Sequence, residues 1–323
     1  MARTLTPESQ ILKRWAITLA SLGMTRSAIA KYLNKPEGDI KYWLWKEKIV
    51  NQNVGIVNQN GVIVHNSGVI VDNFRDGLPV PPKPRLFVGK AENLEFLVDE
   101  SVDLIITSPP YNLGQEKWPM GGSGRTPREA GIGYSEYEDN MPESDYETWQ
   151  VRCLNEFYRV AKTGASLFYN HKVRQHEGEI IHPIVWLKDK TVQWILRQEI
   201  VWDRVSTHNH SATLFWPQDE RIYWLTKGKP NLPDKSIGIP SVWQEFGPIP
   251  KPNGGHPAPF TPALPKMVLK AVGKPGDVIL DPFGGGMTTC VVAYAMGYQS
   301  IGVDISRDYV AHAAESLGVQ YSG

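Results

Sequence analysis

Two short apolar runs, each ending in an unusual turn, constrain this chain more than anything else in it. Val102-Asp103-Leu104-Ile105-Ile106-Thr107 leads straight into Ser108-Pro109-Pro110-Tyr111-Asn112. Val278-Ile279-Leu280 leads into Asp281-Pro282-Phe283-Gly284-Gly285-Gly286-Met287-Thr288-Thr289. A strand that is apolar on both faces belongs inside a parallel sheet covered by helices. Strand-like and helix-like segments alternate around these runs. Further strands are predicted at Arg85–Val88, Ser166–Tyr169, Gln198–Trp202, Arg221–Leu225 and Ser300–Val303. Helices are predicted at Glu147–Val160, Ile180–Leu187, Leu264–Val272 and from about Thr288. Such alternation implies an open α/β sheet with helices on both faces, and ligands beyond the carboxyl ends of its strands.

Bulk properties narrow the class. A chain of 323 residues has room for one large domain and small appendages. Its net charge of zero argues against a general polyanion binder but leaves room for a local basic patch. The two cysteines, Cys153 and Cys290, are too few for a disulfide framework and lack metal-ligand spacing, so no metal is expected and a reducing cytoplasmic setting is. No apolar run approaches the roughly 18 residues that span a bilayer, so no membrane is expected as a partner, and the first ten residues lack the apolar stretch of a secretion signal. Eleven tryptophans are many for this length, and core packing accounts for most of them.

Residues 1–50 read as a small helical domain. Thr6 caps a first helix with Pro7 at its first position, Gly23 breaks it, Thr25 opens a second, and Glu37 to Lys48 forms a third. The helix, glycine turn and second short helix resemble a helix-turn-helix, with a small bundle for protein contacts as the alternative. Nine Lys and Arg against four Asp and Glu make this unit basic. Residues 51–84 follow as a repeat and linker. Asn53 to Asn73 holds three copies of a seven-residue unit, with Ile56, Ile63 and Ile70 in register and Val57, Val64 and Val71 behind them. Glycine and β-branched residues oppose helix, so short strands between Asn/Gly turns are expected, forming either a self-association element of a homo-oligomer or a plain linker. Val80-Pro81-Pro82-Lys83-Pro84 is a stiff spacer, and residues 85–323 form the α/β domain.

The turn after Thr107 concentrates acceptors. Pro109 and Pro110 fix the backbone and remove two N–H donors, leaving the Ser108 hydroxyl and the carbonyls of Ser108 and Pro109 facing outward. An exocyclic amino group offers N–H donors that such acceptors hold, and Tyr111 supplies a flat face for an extruded base. The glycines after Asp281 let the backbone approach a ligand closely. Asp304, about 20 residues past that loop at the end of Ser300-Ile301-Gly302-Val303, is placed to accept hydrogen bonds from ribose hydroxyls. No Gly-Lys-Ser/Thr and no dinucleotide glycine pattern are present, which argues against a nucleotide phosphate.

Together these residues resemble the amino-methyltransferases that act on DNA, whose catalytic motif is (Asp/Ser/Asn)-Pro-Pro-(Tyr/Phe) and whose cofactor motif has the form Asp-Pro-Phe-x-Gly-x-Gly. The catalytic motif comes about 170 residues before the cofactor motif, the permuted order called the β group. Phe168-Tyr169-Asn170-His171-Lys172, Leu196 to Asp203, Pro217-Gln218-Asp219-Glu220 and His256-Pro257-Ala258-Pro259-Phe260 also look like that family. The resemblance implies a Rossmann-like methyltransferase sheet with Ser108, Pro109, Pro110 and Tyr111 as the catalytic set. It implies S-adenosylmethionine as the cofactor, held by Thr107, Phe260, Asp281, Pro282, Phe283, Gly284, Gly286, Thr288 and Asp304. It further implies double-stranded DNA with a flipped base as substrate and a restriction nuclease as a candidate partner. Met287 departs from the family, which more often has Gly-Thr-Thr there, and different packing near the methionine tail is expected. The segment Lys229 to Gly255 is short for target recognition, so the glycine-rich Trp118 to Tyr134, with Arg125 and Arg128, is expected to share that work. No Pro-Cys nucleophile is present, so direct transfer to nitrogen is expected. Serine in the first motif position points to N4 of cytosine, with N6 of adenine as the alternative. An RNA or protein methyltransferase and a catalytically dead DNA-binding protein are the remaining readings.

Overall fold

The computed structural model describes residues 16, 26, 36–46, 56–57, 63–64, 82–113, 140–176, 178–204, 215–233, 237–244 and 261–323. The chain divides into two compact units, Met1–Pro81 with Ala295–Gly297, and Pro82–Tyr294 with Tyr298–Gly323. In the first, helix α1 spans Glu37–Lys46, with Glu37 and Asp39 favourably placed in its first turn and Ile40 and Trp43 buried one turn apart. Ala16 and Arg26 are helical, and the rest of the helix-turn-helix reading lies outside the described residues. Strands β1 (Ile56–Val57) and β2 (Ile63–Val64) come from the first two heptapeptide copies and pair antiparallel, Ile56 opposite Val64 and Val57 opposite Ile63. The third copy lies outside the described residues.

The second unit is built on a nine-stranded sheet. In chain order its elements are β3 (Arg85–Val88), β4 (Val102–Thr107), α2 (Glu143–Val160), β5 (Ala161–His171), β6 (Arg174–His176), β7 (Glu179–Ile181), α3 (Ile184–Leu187), β8 (Ile195–Asp203), β9 (Asp219–Thr226), β10 (Val242–Gln244), α4 (Ala263–Val272), β11 (Val278–Asp281), α5 (Thr288–Ala295), β12 (Gln299–Asp304), α6 (Arg307–Leu317) and β13 (Tyr321–Ser322). The sheet order is β10-β8-β9-β5-β4-β11-β12-β3-β13, while β6 and β7 form a separate ribbon. Among the described strands of the large sheet, β9 alone runs against the others. The chain winds outward from β4 to β5 on one side and from β11 to β12 on the other. The crevice where winding reverses therefore lies between the carboxyl ends of β4 and β11, where an open sheet takes its ligands.

Burial explains these elements. β4 is buried along nearly its whole length, and β5 likewise from Ala165 to His171, as befits central strands. α2 turns Tyr146, Trp149, Gln150, Cys153, Leu154, Phe157 and Val160 inward at helical spacing. Trp149, Trp186, Trp194, Trp202, Trp224 and Trp243 are all buried in this unit, whereas Trp216 is exposed. The single helix expected over Ile180–Leu187 is instead strand β7 followed by one helical turn. Gly178, at φ +87°, reverses the chain between β6 and β7, and Pro183 lacks the N–H that an uninterrupted helix needs.

Candidate active site

The first strand end is fixed by side-chain hydrogen bonds. Thr107 is fully buried, and its hydroxyl donates to Asp281 Oδ1 at 2.8 Å, joining the ends of neighbouring strands β4 and β11. Pro109 and Pro110 are buried; Ser108 and Tyr111 are half-buried. The Pro110 carbonyl accepts from Tyr146 Oη at 2.6 Å, and that hydroxyl also lies 2.7 Å from His171 Nε2. Burial lowers His171 to a pKa of about 3, so the ring is neutral at ordinary pH. Tyr111 packs on this imidazole with ring centroids 4.6 Å apart. Beyond it, Asn112 takes φ +54° and binds both backbone groups of Met141, accepting from its N–H at 2.7 Å and donating to its carbonyl at 3.0 Å. Buried Arg174 pairs with Glu143 and stands over the Tyr146 ring.

Behind Tyr111 lies a charged cluster that sequence reasoning did not single out. Its hydroxyl is 2.9 Å from Ser108 Oγ and donates to Glu220 Oε2 at 3.1 Å. Glu220 is 4% exposed and meets Arg204, Lys172 and Asn170. The available signal was that the Phe168–Lys172 and Pro217–Glu220 matches both fall at strand ends. Because β9 is antiparallel, with Arg221 opposite His171, its first residues stand at the same edge as the last residues of β5.

The second strand end is held by backbone and shape. Gly284 N–H donates to the Val303 carbonyl at 2.8 Å, and Gly285 N–H donates to Asp304 Oδ2 at 2.7 Å. The other oxygen of Asp304 accepts from Ser306 N–H at 2.9 Å. Met287 takes φ +57° and is fully buried, pointing inward. Its sulfur would sit 2.4 Å from a Cβ at either Gly284 or Gly302, so the two glycines make the notch it fills. The residue that departs from the family pattern thus packs into the core beneath the loop. Phe283 also turns inward, edge-on to Trp149 and Phe157. Asp281 is fully buried; Oδ1 also accepts from Phe283 N–H, while Oδ2 has no hydrogen-bond partner. Burial pushes its carboxyl up to about 6, against neighbouring Thr289 and Thr107 hydroxyls that favour the charged form. A Cβ at Gly286 would meet open space, so the loop presents backbone at that point. Thr288 opens α5, and Pro282 is buried. Phe260 and the insert Trp118–Tyr134 lie outside the described residues. Burial pushes the Cys153 and Cys290 thiols up, leaving both as inert core groups.

Residues 102–315 match the DNA methylase family of N6 and N4 amino-methyltransferases, from the first residue of β4 into α6. The chain belongs to that family. Its reaction is therefore methyl transfer to an exocyclic amino group of DNA. The Type II methyltransferase M.HpaI of Haemophilus parainfluenzae is 26% identical over 245 residues, covering 71% of this chain and 72% of the relative. The fold is that of the cytosine-N4-specific PvuII DNA methyltransferase, with a TM-score of 0.59 at 18% identity over 75% of this chain and 95% of that one. A DNA modification methylase from Thermus thermophilus, in complex with S-adenosyl-L-methionine, matches with a TM-score of 0.51 at 22% identity over 73% and 93% of the two chains. Among the described residues no cluster could hold a metal ion, and no described helix is long and apolar enough to cross a membrane.

Proposed function

We propose that this chain methylates N4 of cytosine in double-stranded DNA in the cytoplasm, with the target base extruded onto Tyr111 and S-adenosylmethionine bound at the β11 loop. The observation that carries this reading is the placement of Ser108 and Pro109 at the carboxyl end of β4, beside the glycine loop of β11. Ser108 Oγ and the Pro109 carbonyl accept the two N–H bonds of the amino group, which draws its lone pair out of conjugation with the ring. Tyr111, braced by His171, holds the base by stacking. Positioning of the nucleophile and local polarity account for the rate.

The loop suits a nucleoside without phosphate. Residues 281–289 contain no cation, and its polar side groups include two carboxylates, with Asp304 half-buried and able to accept from ribose hydroxyls. The backbone from Pro282 to Gly286, with Thr288, would hold the remainder. Thr107 and Asp281 would act from below through their mutual hydrogen bond, and Phe260 would close the pocket. When bound, S-adenosylmethionine supplies an electrophilic methyl group on a sulfonium that leaves as a neutral thioether.

The deciding experiment incubates the protein with methyl-labelled cofactor and unmethylated DNA, then digests to nucleosides for mass spectrometry. N4-methylcytosine is expected, and none from Tyr111→Ala. N6-methyladenine in its place would overturn the choice of base. The basic unit 1–50 is proposed as a second DNA contact, and residues 53–73 as a self-association element. A chain lacking 53–73 should elute as a smaller species; an unchanged oligomer ends that idea.

A further inference from the structure

The hydrogen-bond chain behind Ser108 has a direction, and the direction follows from counting protons. Glu220 Oε1 lies 2.7 Å from Arg204 Nη1 and 3.6 Å from Lys172 Nζ. Glu220 Oε2 accepts from Asn170 Nδ2 at 3.2 Å and from Tyr111 Oη at 3.1 Å. A carboxylate paired with two cations only accepts, and a phenol has one proton to give. Tyr111 gives that proton to Glu220. The 2.9 Å contact between Ser108 Oγ and Tyr111 Oη therefore has Ser108 as its donor. With its one proton turned inward, the serine hydroxyl offers only lone pairs to anything in the pocket.

We infer that Glu220 is a positioning residue that makes Ser108 an obligate acceptor, and so lets the pocket distinguish an amino group from a carbonyl at the same ring position. The inference rests on the proposed role of Ser108 in holding the amino group. Deamination converts cytosine to uracil and adenine to hypoxanthine, replacing an N–H donor by an oxygen acceptor with almost no change of shape. A freely rotating serine hydroxyl serves both, donating to one and accepting from the other. A serine whose proton is committed to Tyr111 serves only the amino base and leaves the carbonyl base facing lone pairs. Unmet polar groups of this kind are what give a buried site its discrimination against near-isosteres. Arg204, Lys172 and Asn170 keep the carboxylate aimed, which explains why a buried charge with four polar neighbours stands behind a motif that needs no charge of its own.

The test begins by mapping the site that the wild-type protein methylates. Two duplexes are then made, one with the target base and one with its deaminated counterpart, and binding is measured with S-adenosylhomocysteine present so that no turnover occurs. Each variant is compared with wild type on the same two duplexes, so differences in helix stability cancel. Glu220→Gln puts an amide that can donate where only an acceptor stood; Tyr111→Phe keeps the stacking ring and severs the chain. The wild type should prefer the amino duplex, each variant should lose about tenfold of that preference, and the double variant should lose no more than either. Variants that keep the wild-type preference, losses that add, or a wild type with no preference would overturn the inference. Absence of any methylated amino group in the first step overturns the proposed function instead, before a variant is made.

Discussion

The two strand ends that meet at the crevice are built in opposite ways. At the end of β4 the chain is held by side chains: Ser108, Tyr111 and Glu220 in one series, Pro110, Tyr146 and His171 in another, and Asn112 on Met141. At the end of β11 it is held by close backbone approach, with Met287 filling the notch between Gly284 and Gly302 and the Gly285 N–H on Asp304. The first construction presents oriented polar atoms, the second a surface of fixed shape. Substitutions should therefore separate. Polar changes at β4 should affect chemistry far more than stability, and steric changes at β11 should do the reverse.

Ser108→Ala gives the sharpest separation. Losing one preorganised polar contact to the reacting group should cut kcat by 100-fold or more, about 3 kcal/mol, with the melting temperature unmoved. An equal loss of stability would erase the distinction. Asp281→Asn probes the bond that joins the two ends. The carboxyl pKa, raised from its unfolded value to about 6, means that the folded chain binds this proton more tightly than the unfolded one. Burial of the group is therefore harmless near pH 4, becomes unfavourable as pH rises through 6, and costs up to about 3 kcal/mol above that. The variant should melt with the wild type at pH 4 and above it at pH 8; a gap that shrinks as pH rises contradicts the assignment. The smallest effect is expected at Gly302→Ala, whose Cβ would meet Met287 Sδ at 2.4 Å and Cys290 Sγ at 2.8 Å. A destabilisation of about 2 kcal/mol is expected, most of it absent when Met287 is already alanine. An additive pair would mean that Met287 does not fill the notch.

What could be read in advance follows the same division. The central strands and both turns were legible because an apolar run that ends in paired prolines or glycines has few places to go in a parallel sheet. Edge strands β10 and β13 were not, since two or three residues carry no periodicity. The ribbon of β6 and β7 was hidden by apolar residues at helical spacing, although Gly178 and Pro183 both speak for a break. The part played by Glu220 depends on β9 running antiparallel, which places residue 220 beside residue 111 by pairing and not by any local pattern. The inward turn of Met287 likewise required knowing that Gly302, on the next strand, has no side chain in the way.

β3 and β4 follow one another in the chain, yet β11 and β12 lie between them in the sheet. A ribosome therefore releases both walls of a slot long before it releases the strands that fill it. Until residues near 280–304 emerge, β4 presents an unpaired apolar edge, the kind of edge that recruits other chains. The hydroxyl of Thr107 meanwhile waits for a carboxylate made 174 positions later. A growing chain thus holds its whole Ser-Pro-Pro-Tyr turn without a finished crevice, and a transcript cut short in its last fifth should yield a sticky, silent fragment instead of a weak enzyme.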